Sequence, residues 1–284
     1  MTDSDLHNWI GRSETLADTI APIPARAMAA SLGIAGPDAE GDTLPPLWHW
    51  LYFLPLHARQ TLGPDGHAAR GGFLPPISLP RRMWAGSRFQ FHQPLRLGES
   101  ARRSSQILDV VSKQGRSGHF VLVTVQHEIY GESGLAITEQ QDLAYREAAV
   151  PGAPSSTAAE APARPDWSHD WVADPVLLFR YSALTFNSHR IHYDAPYATN
   201  VEGYPGLVVH GPLIMTLLLQ SLLKAHPERR IESASLRAVR PLFQDTPFAL
   251  QGRLEDNGAQ ALLWCLDAEG AVTMHATVTL QATA

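Results

Sequence analysis

The sequence predicts an α+β protein built from two curled antiparallel sheets, each laid around one long helix. Three observations predict it. Strand-like runs are separated by Gly-rich and Asn-Gly turns, each half carries one apolar helical stretch, and a segment without core-forming residues divides the halves. That dividing segment, 148–166, is rich in Ala, Pro and Ser, has no aromatic residue and reads as a linker. It separates an N-terminal unit, 1–147, from a C-terminal unit, 167–284.

The halves echo each other. In the first, Pro94 to Glu99 precedes a strand at Arg102 to Lys113, a turn at Gln114 to Gly118 and a second strand at His119 to Tyr130. In the second, Pro241 to Thr246 precedes Phe248 to Leu254, a turn at Asp256-Asn257-Gly258, the strand Gln260 to Leu266 and a last strand at Val272 to Gln281. The covering helices are read at Leu47 to Thr61, rich in Trp and Leu, and at Gly211 to Ala225, rich in Leu. Both are apolar nearly all round, as befits a helix wrapped by a sheet. A further helix is expected within Ala17 to Leu32, with Pro22 and Pro24 pushing its start toward Ala25. A central helix enclosed by an antiparallel sheet is the hotdog arrangement, and two of them make a double hotdog.

Composition narrows the class. The 284 residues are 44% hydrophobic and 18% charged, an ordinary balance for a globular protein. One cysteine, Cys265, cannot form an intrachain disulfide, which points to a reducing compartment, the cytoplasm by default. The acidic N-terminus lacks an apolar targeting segment, and the longest apolar stretch is interrupted by Thr216, Gln220 and Ser221, so neither signal peptide nor membrane span is expected. A net charge of −6 with only paired arginines argues against nucleic acid as the main partner.

The 13 histidines need sorting, because imidazole is the side chain that titrates near neutrality. His92, His119 and His127 fall on strands and read as satisfied or solvent-facing. The run Phe179 to Asp194 crowds Asn187, His189, Arg190, His192 and Asp194 into a stretch that begins apolar. About twenty residues on, His210-Gly211-Pro212 opens the second long helix. Pro suits a first helical turn, and the Gly211 amide at the positive helix end can receive charge developing on a thioester oxygen; a Gly needed only for the turn is the plain alternative. His189, His192, Asp194 and His210 match no standard zinc spacing, so no metal is expected. Trp48, Trp50 and Trp84 read as core or interface residues, with a role in lining an acyl pocket as the alternative. Arg81, Arg82 and Arg190 suit phosphate or carboxylate binding, while Arg81-Arg82 fits a solvated pair equally well.

The segment Tyr181 to Asp194 with His210-Gly211 resembles the signature of the MaoC-like, or R-specific, enoyl-CoA hydratases. Their pattern has an Asp, then Asn-Pro-aliphatic-His with the His five residues after the Asp, and later a His-Gly opening the hotdog helix. The His of that pattern is His192 here, and its Asp position holds Asn187. The form Thr-Phe-Asn-x-His-Arg-Ile-His-Tyr-Asp is similar to the branch containing the type-2 hydroxyacyl-thioester dehydratases and the bacterial hydratases of itaconyl-CoA and of the C4 thioester of mesaconyl-CoA. The resemblance is close from Leu177 to Leu219 and thinner around Pro80 to Gly86. By length and layout the chain looks like the bacterial group, itaconyl-CoA hydratase foremost.

What the resemblance implies is a hydro-lyase adding water to an enoyl-CoA, with a C5 dicarboxylic acyl group and a citramalyl-CoA product. His192, Asn187 and Gly211 would be catalytic, and His189, Arg190, Asp194, His210, Arg81, Arg82 and Trp84 would bind substrate. Coenzyme A would enter as part of the substrate, with no separate cofactor, and the chain would form a homo-oligomer. One active site per chain is expected, the first half being a non-catalytic hotdog. A hotdog thioesterase and a non-catalytic acyl-CoA binding module are the alternatives; thiol release separates the first, and binding without turnover the second.

Overall fold

The computed structural model describes residues 3–115, 118–147, 161–162 and 164–281. Most of the segment read as a linker, and the tip of the Gln114 to Gly118 turn, lie outside these residues. Ten strands form one antiparallel sheet: β1 (Ser13–Thr19), β2 (Arg81–Phe91), β3 (Ser100–Gly115), β4 (Gly118–Gly131), β5 (Gly134–Arg146), β6 (Trp167–Val172), β7 (Ile231–Ala238), β8 (Pro247–Glu255), β9 (Gln260–Leu266) and β10 (Val272–Leu280). Their order is β1-β3-β4-β5-β2-β7-β10-β9-β8-β6. Five strands from before the dividing segment thus join five from after it. The seam pairs Gly86 with Arg237 through Gln90 with Ser233.

The hairpins sit where the turn residues place them. The β8–β9 turn runs through Asp256, Asn257 and Gly258, all with positive φ, the conformation that Asn and Gly adopt at least cost. Among the described residues five helices accompany the sheet: α1 (Asp3–His7), α2 (Pro22–Leu32), α3 (Pro175–Leu184), α4 (Ala195–Asn200) and α5 (Gly211–Ala225). Helix α5 is the predicted sheet-wrapped helix. Leu213 to Leu219, Ser221 and Leu222 are all buried along it, and each large aliphatic so placed contributes about 1.5–3 kcal/mol.

The first half departs from expectation. Leu47 to Thr61 is not a helix but two short 3-10 turns, Trp48–Leu51 and Arg59–Thr61. Left-handed backbone at Leu47 and Phe53, with Pro45, Pro46 and Pro55 beside them, breaks any longer run. The helix here is α2, which begins at Pro22 rather than near Ala25, because Pro suits the first turn; residues 13–19 before it form an edge strand. Trp48, Leu51 and Tyr52 still enter the core around α2, so the apolar character was read correctly and its period was not.

A second buried cluster lies further along the same face of the N-terminal strands, where Val121, Val123 and Val125 continue the row that Ile129 begins in the main core. Ile107, Val110, Val121, Val123, Val125 and Tyr145 form it with Ile77, and Phe73, Leu74 and Leu79 pack on it. The loop spanning 62–80 is therefore anchored over that face by its own apolar residues. The polar part of the loop reaches the candidate site.

Candidate active site

The α3–α4 connection holds the histidines that the sequence singled out. Asp174 caps α3 by accepting from the Leu177 amide at 2.7 Å, and Asp194 caps α4 by accepting from the Tyr197 amide at 3.1 Å. Between them the chain turns at Phe186, where φ is 50°, and Asn187 Oδ1 accepts from the His189 amide at 3.0 Å. That turn delivers His192 into a short 3-10 segment, where it is only 7% exposed.

His192 Nδ1 lies 2.7 Å from the Val208 carbonyl oxygen. A carbonyl only accepts, so Nδ1 carries the proton and Nε2 keeps a lone pair. The ring stacks on His210 with centroids 3.7 Å apart and meets His189 edge-on at 5.5 Å. His210, the residue just before α5, is held by Ser182 Oγ at 2.9 Å. His192 therefore stands against the segment that leads into the α5 N-terminus. There the Gly211 N–H, as a first-turn amide, has no acceptor within its own helix.

Trp84 covers Gly211. A Cβ added at that glycine would come within 2.9 Å of the indole, so only glycine admits this approach. The tryptophan is in turn anchored: its Nε1 donates to Ser87 Oγ at 3.0 Å, and Ser87 donates to Glu139 Oε1 at 3.1 Å. The other carboxylate oxygen of Glu139 receives Trp50 Nε1 at 3.1 Å and meets His49 Nε2 at 3.2 Å. The Trp48–Leu51 turn thus completes a buried polar hub behind Trp84.

Two site residues went unseen in the sequence. The loop before β2 places His67 against His189, ring centroids 4.0 Å apart, and Asp65 Oδ2 lies 2.9 Å from His67 Nδ1. The loop is stitched to the histidine segment: Arg190 N donates to the Asp65 carbonyl at 2.9 Å, Arg190 Nη1 to the Pro64 carbonyl at 3.0 Å, and Ser188 Oγ to the Gly66 carbonyl. At Gly66, where φ is +87°, a Cβ would overlap the Ser188 carbonyl oxygen, so this seam requires glycine. A row results, Asp65–His67–His189–His192–His210, crossing from one half of the chain to the other. The Gly-Pro-Asp-Gly-His run was the available signal, a turn sequence carrying an acid and an imidazole without a recognisable motif.

Burial disfavours charge on the imidazoles of this row. Burial lowers His192 to about 4 against the pull of the Val208 carbonyl. Burial, with His67 and His192 as neighbours, lowers His189 to about 2. His67 is lowered by burial and by the Arg82 and Arg70 guanidiniums, and Asp65 opposes them. Burial would raise the Asp65 carboxyl, but its bond to His67 and the charge of that ring hold it well below the usual carboxylate range. Donor atoms of Asp65, His67 and His189 lie within 4.8 Å of one another. The quartet considered from the sequence does not gather, since Asp194 turns to Arg190.

The arginines divide. Arg190 is tied to Asp194 Oδ2 at 2.7 Å and stacks over Tyr197. Arg81 is tied to Glu202 at 3.0 Å. The structure therefore makes Arg190, Asp194 and Arg81 parts of the frame. Arg82 is half-buried opposite Tyr145 across the β2–β5 pairing, bears on His67 and His189 through its charge, and has no carboxylate partner among the described residues.

Comparison with known proteins decides the family. The family of hydroxyacyl-thioester dehydratases type 2 matches residues 47–244. The chain is 48% identical over 282 residues to the mesaconyl-C(4)-CoA hydratase of Chloroflexus aurantiacus, covering 99% of each chain. The chain belongs to the type-2 hydroxyacyl-thioester dehydratase family. A mitochondrial member from Schizosaccharomyces pombe is 30% identical over 243 residues, 75% of this chain and 79% of that one. Among solved structures, HtdX of Mycobacterium tuberculosis superimposes with a TM-score of 0.66 at 18% identity, covering 94% of this chain and 99% of its own, and shares the fold. The family's chemistry is that of a hydratase or dehydratase, and this chain is an enzyme of that kind.

Proposed function

We propose that the enzyme hydrates the C4 thioester of mesaconyl-CoA, adding hydroxyl at the β-carbon and hydrogen at the α-carbon to give citramalyl-CoA. The observation carrying this reading is His192, with Nδ1 tied to Val208 and Nε2 free, stacked on the residue that opens α5. His192 Nε2 removes a proton from water as the water oxygen bonds to the β-carbon. The double-bond electrons move to the thioester oxygen, where the Gly211 N–H receives them. The enolate then takes the proton back at its α-carbon, so one imidazole serves as base and acid.

Asn187 uses its oxygen within the loop, which leaves its amide nitrogen to hold water or a carbonyl. Asp65, acting through His67, orients the imidazole row from the first half of the chain, in which no other catalytic group is assigned. Trp84 forms the wall of the acyl pocket, and His189 and His210 flank the acyl group. Coenzyme A enters as part of the substrate, and the reaction calls for no other cofactor. The 48% identical hydratase supports the acyl group.

The test is product mass from a panel of itaconyl-, mesaconyl-, crotonyl- and longer enoyl-CoAs, with free thiol measured alongside. Mesaconyl-C4-CoA hydrated fastest is the expected outcome; thiol release without a hydrated product would make the enzyme a thioesterase. We place the enzyme in the cytoplasm, as its lone buried cysteine suits. No helix among the described residues is long and apolar enough to cross a membrane. Ile23, Val172, Val176 and Phe179 are exposed and suit burial between copies, so sedimentation should show a dimer or larger, and a monomer would refute the assembly.

A further inference from the structure

The strand bearing Trp84 also bears Arg82, and residues two apart on a strand face the same way, roughly 7 Å apart. Trp84 marks the end of the site where Gly211 awaits the thioester oxygen. Arg82 marks the other end, opposite Tyr145 in the β2–β5 register and near enough for its charge to act on His67 and His189. The offset between the two residues is on the scale of the four-carbon backbone separating a thioester carbonyl from a distal carboxylate.

Charge separates Arg82 from its neighbours. Arg81 and Arg190 each hold a carboxylate, and Arg70 donates to the carbonyls of Ile77, Leu79 and Pro80. Arg82 holds none among the described residues, although it is half-buried; its neighbour across the strand pairing is the neutral Tyr145 hydroxyl. A half-buried guanidinium without a counter-ion is an open anion site, and its planar fork matches a carboxylate.

We propose that Arg82 reads the free carboxylate of a dicarboxylic acyl group, the one attached to the β-carbon that water attacks. This rests on the hydratase reading and names the residue that selects its substrate class. The carboxylate would dock with its carbon chain running back past His192 toward Gly211. Docking would also cancel the positive charge that Arg82 directs at His67 and His189, so the substrate's own anion makes the row a better base. An acyl group ending in methyl would leave the guanidinium unpaired and the row unassisted.

The test compares the wild-type enzyme with Arg82→Gln and Arg82→Lys on three thioesters: mesaconyl-C4-CoA, crotonyl-CoA, and mesaconyl-C4-pantetheine, which lacks the nucleotide phosphates. Arg82→Gln should lower kcat/KM on both mesaconyl esters by about 10²-fold or more and leave crotonyl-CoA within about threefold. Arg82→Lys, which keeps the charge and loses the fork, should fall between, again on the mesaconyl esters alone; it decides the matter if the Gln variant does not fold. Equal loss on crotonyl-CoA would overturn the assignment, as would loss confined to the nucleotide-bearing esters, which would move Arg82 to the CoA phosphates. A wild-type enzyme that hydrates crotonyl-CoA and ignores mesaconyl esters sinks the substrate reading itself. A selective wild-type enzyme whose variants keep that selectivity sinks only Arg82.

Discussion

The first half of the chain holds two carboxylate–imidazole pairs of the same chemistry and different surroundings. Glu139 and His49 are 2% and 3% exposed, and Glu139 bonds through one oxygen to Ser87, which holds Trp84, and through the other to His49 and Trp50. Asp65 and His67 are 22% and 23% exposed, and His67 leans on the imidazole row rather than into a hub. The difference teaches that a pair sealed in the interior and bonded to the frame holds a fold, whereas a pair with an edge to solvent and its ring against the imidazole row can take part in proton chemistry. Burial would raise the Glu139 carboxyl, yet the bonds from His49 and Trp50 hold it down, so it is a scaffold that stays ionised.

Variants can break that comparison. The largest effect belongs to the ring inside the row: His192→Ala should lower hydratase kcat by about 10²-fold or more, and turnover near wild type would remove it from the reaction. Asp65→Asn should lower kcat by roughly tenfold with little change in unfolding midpoint, because the loop keeps its backbone bonds. It should also displace the acid limb of the pH–rate profile toward lower pH. Asp65 favours the charged forms of His67 and His189 against Arg82 and Arg70, so its loss lowers both rings further. An unmoved limb would make Asp65 a purely structural residue.

Glu139→Ala should do the reverse. Removing one partner of a buried pair costs about 3–5 kcal/mol, read from urea unfolding, with the pH limb in place. A variant as stable as wild type would show that the hub is dispensable.

The smallest effect is the pH dependence of stability. His192 and His127, both lowered to about 4, and His189, lowered to about 2, take up protons in the unfolded chain near 6.5 while the folded rings remain neutral. Their contribution is present above that value and lost as pH falls below it. The unfolding midpoint should be level from about pH 8 to 7 and decline below about 6.5. His192→Ala should decline less steeply, and a slope equal to wild type would refute the buried neutral ring.

Much of this was legible where the determinants are local. Helix α5 announces itself through an unbroken apolar run opened by Gly211-Pro212, and His192 through its spacing from Asn187. The strands were legible because Gly and Asn-Gly turns punctuate them. Leu47 to Thr61 misled because apolar content was read as helical period, while three prolines and two left-handed residues divide it into turns. Asp65 and His67 stayed hidden because their partners lie some 120 residues away, Ser188 meeting Gly66 at a separation of 122. The sorting of the arginines was hidden too, since the sequence cannot say that Arg81 would find Glu202 while Arg82 finds no carboxylate among the described residues.

Strand β2 is hydrogen-bonded on both sides, to β5 and to β7, at the centre of ten. Segments held so are among the last in a fold to open, and loops secured by turns and side chains among the first. A ring that is 7% exposed is therefore served by a wall, carrying Arg82 and Trp84, that keeps its shape while more loosely held parts of the fold fluctuate around it.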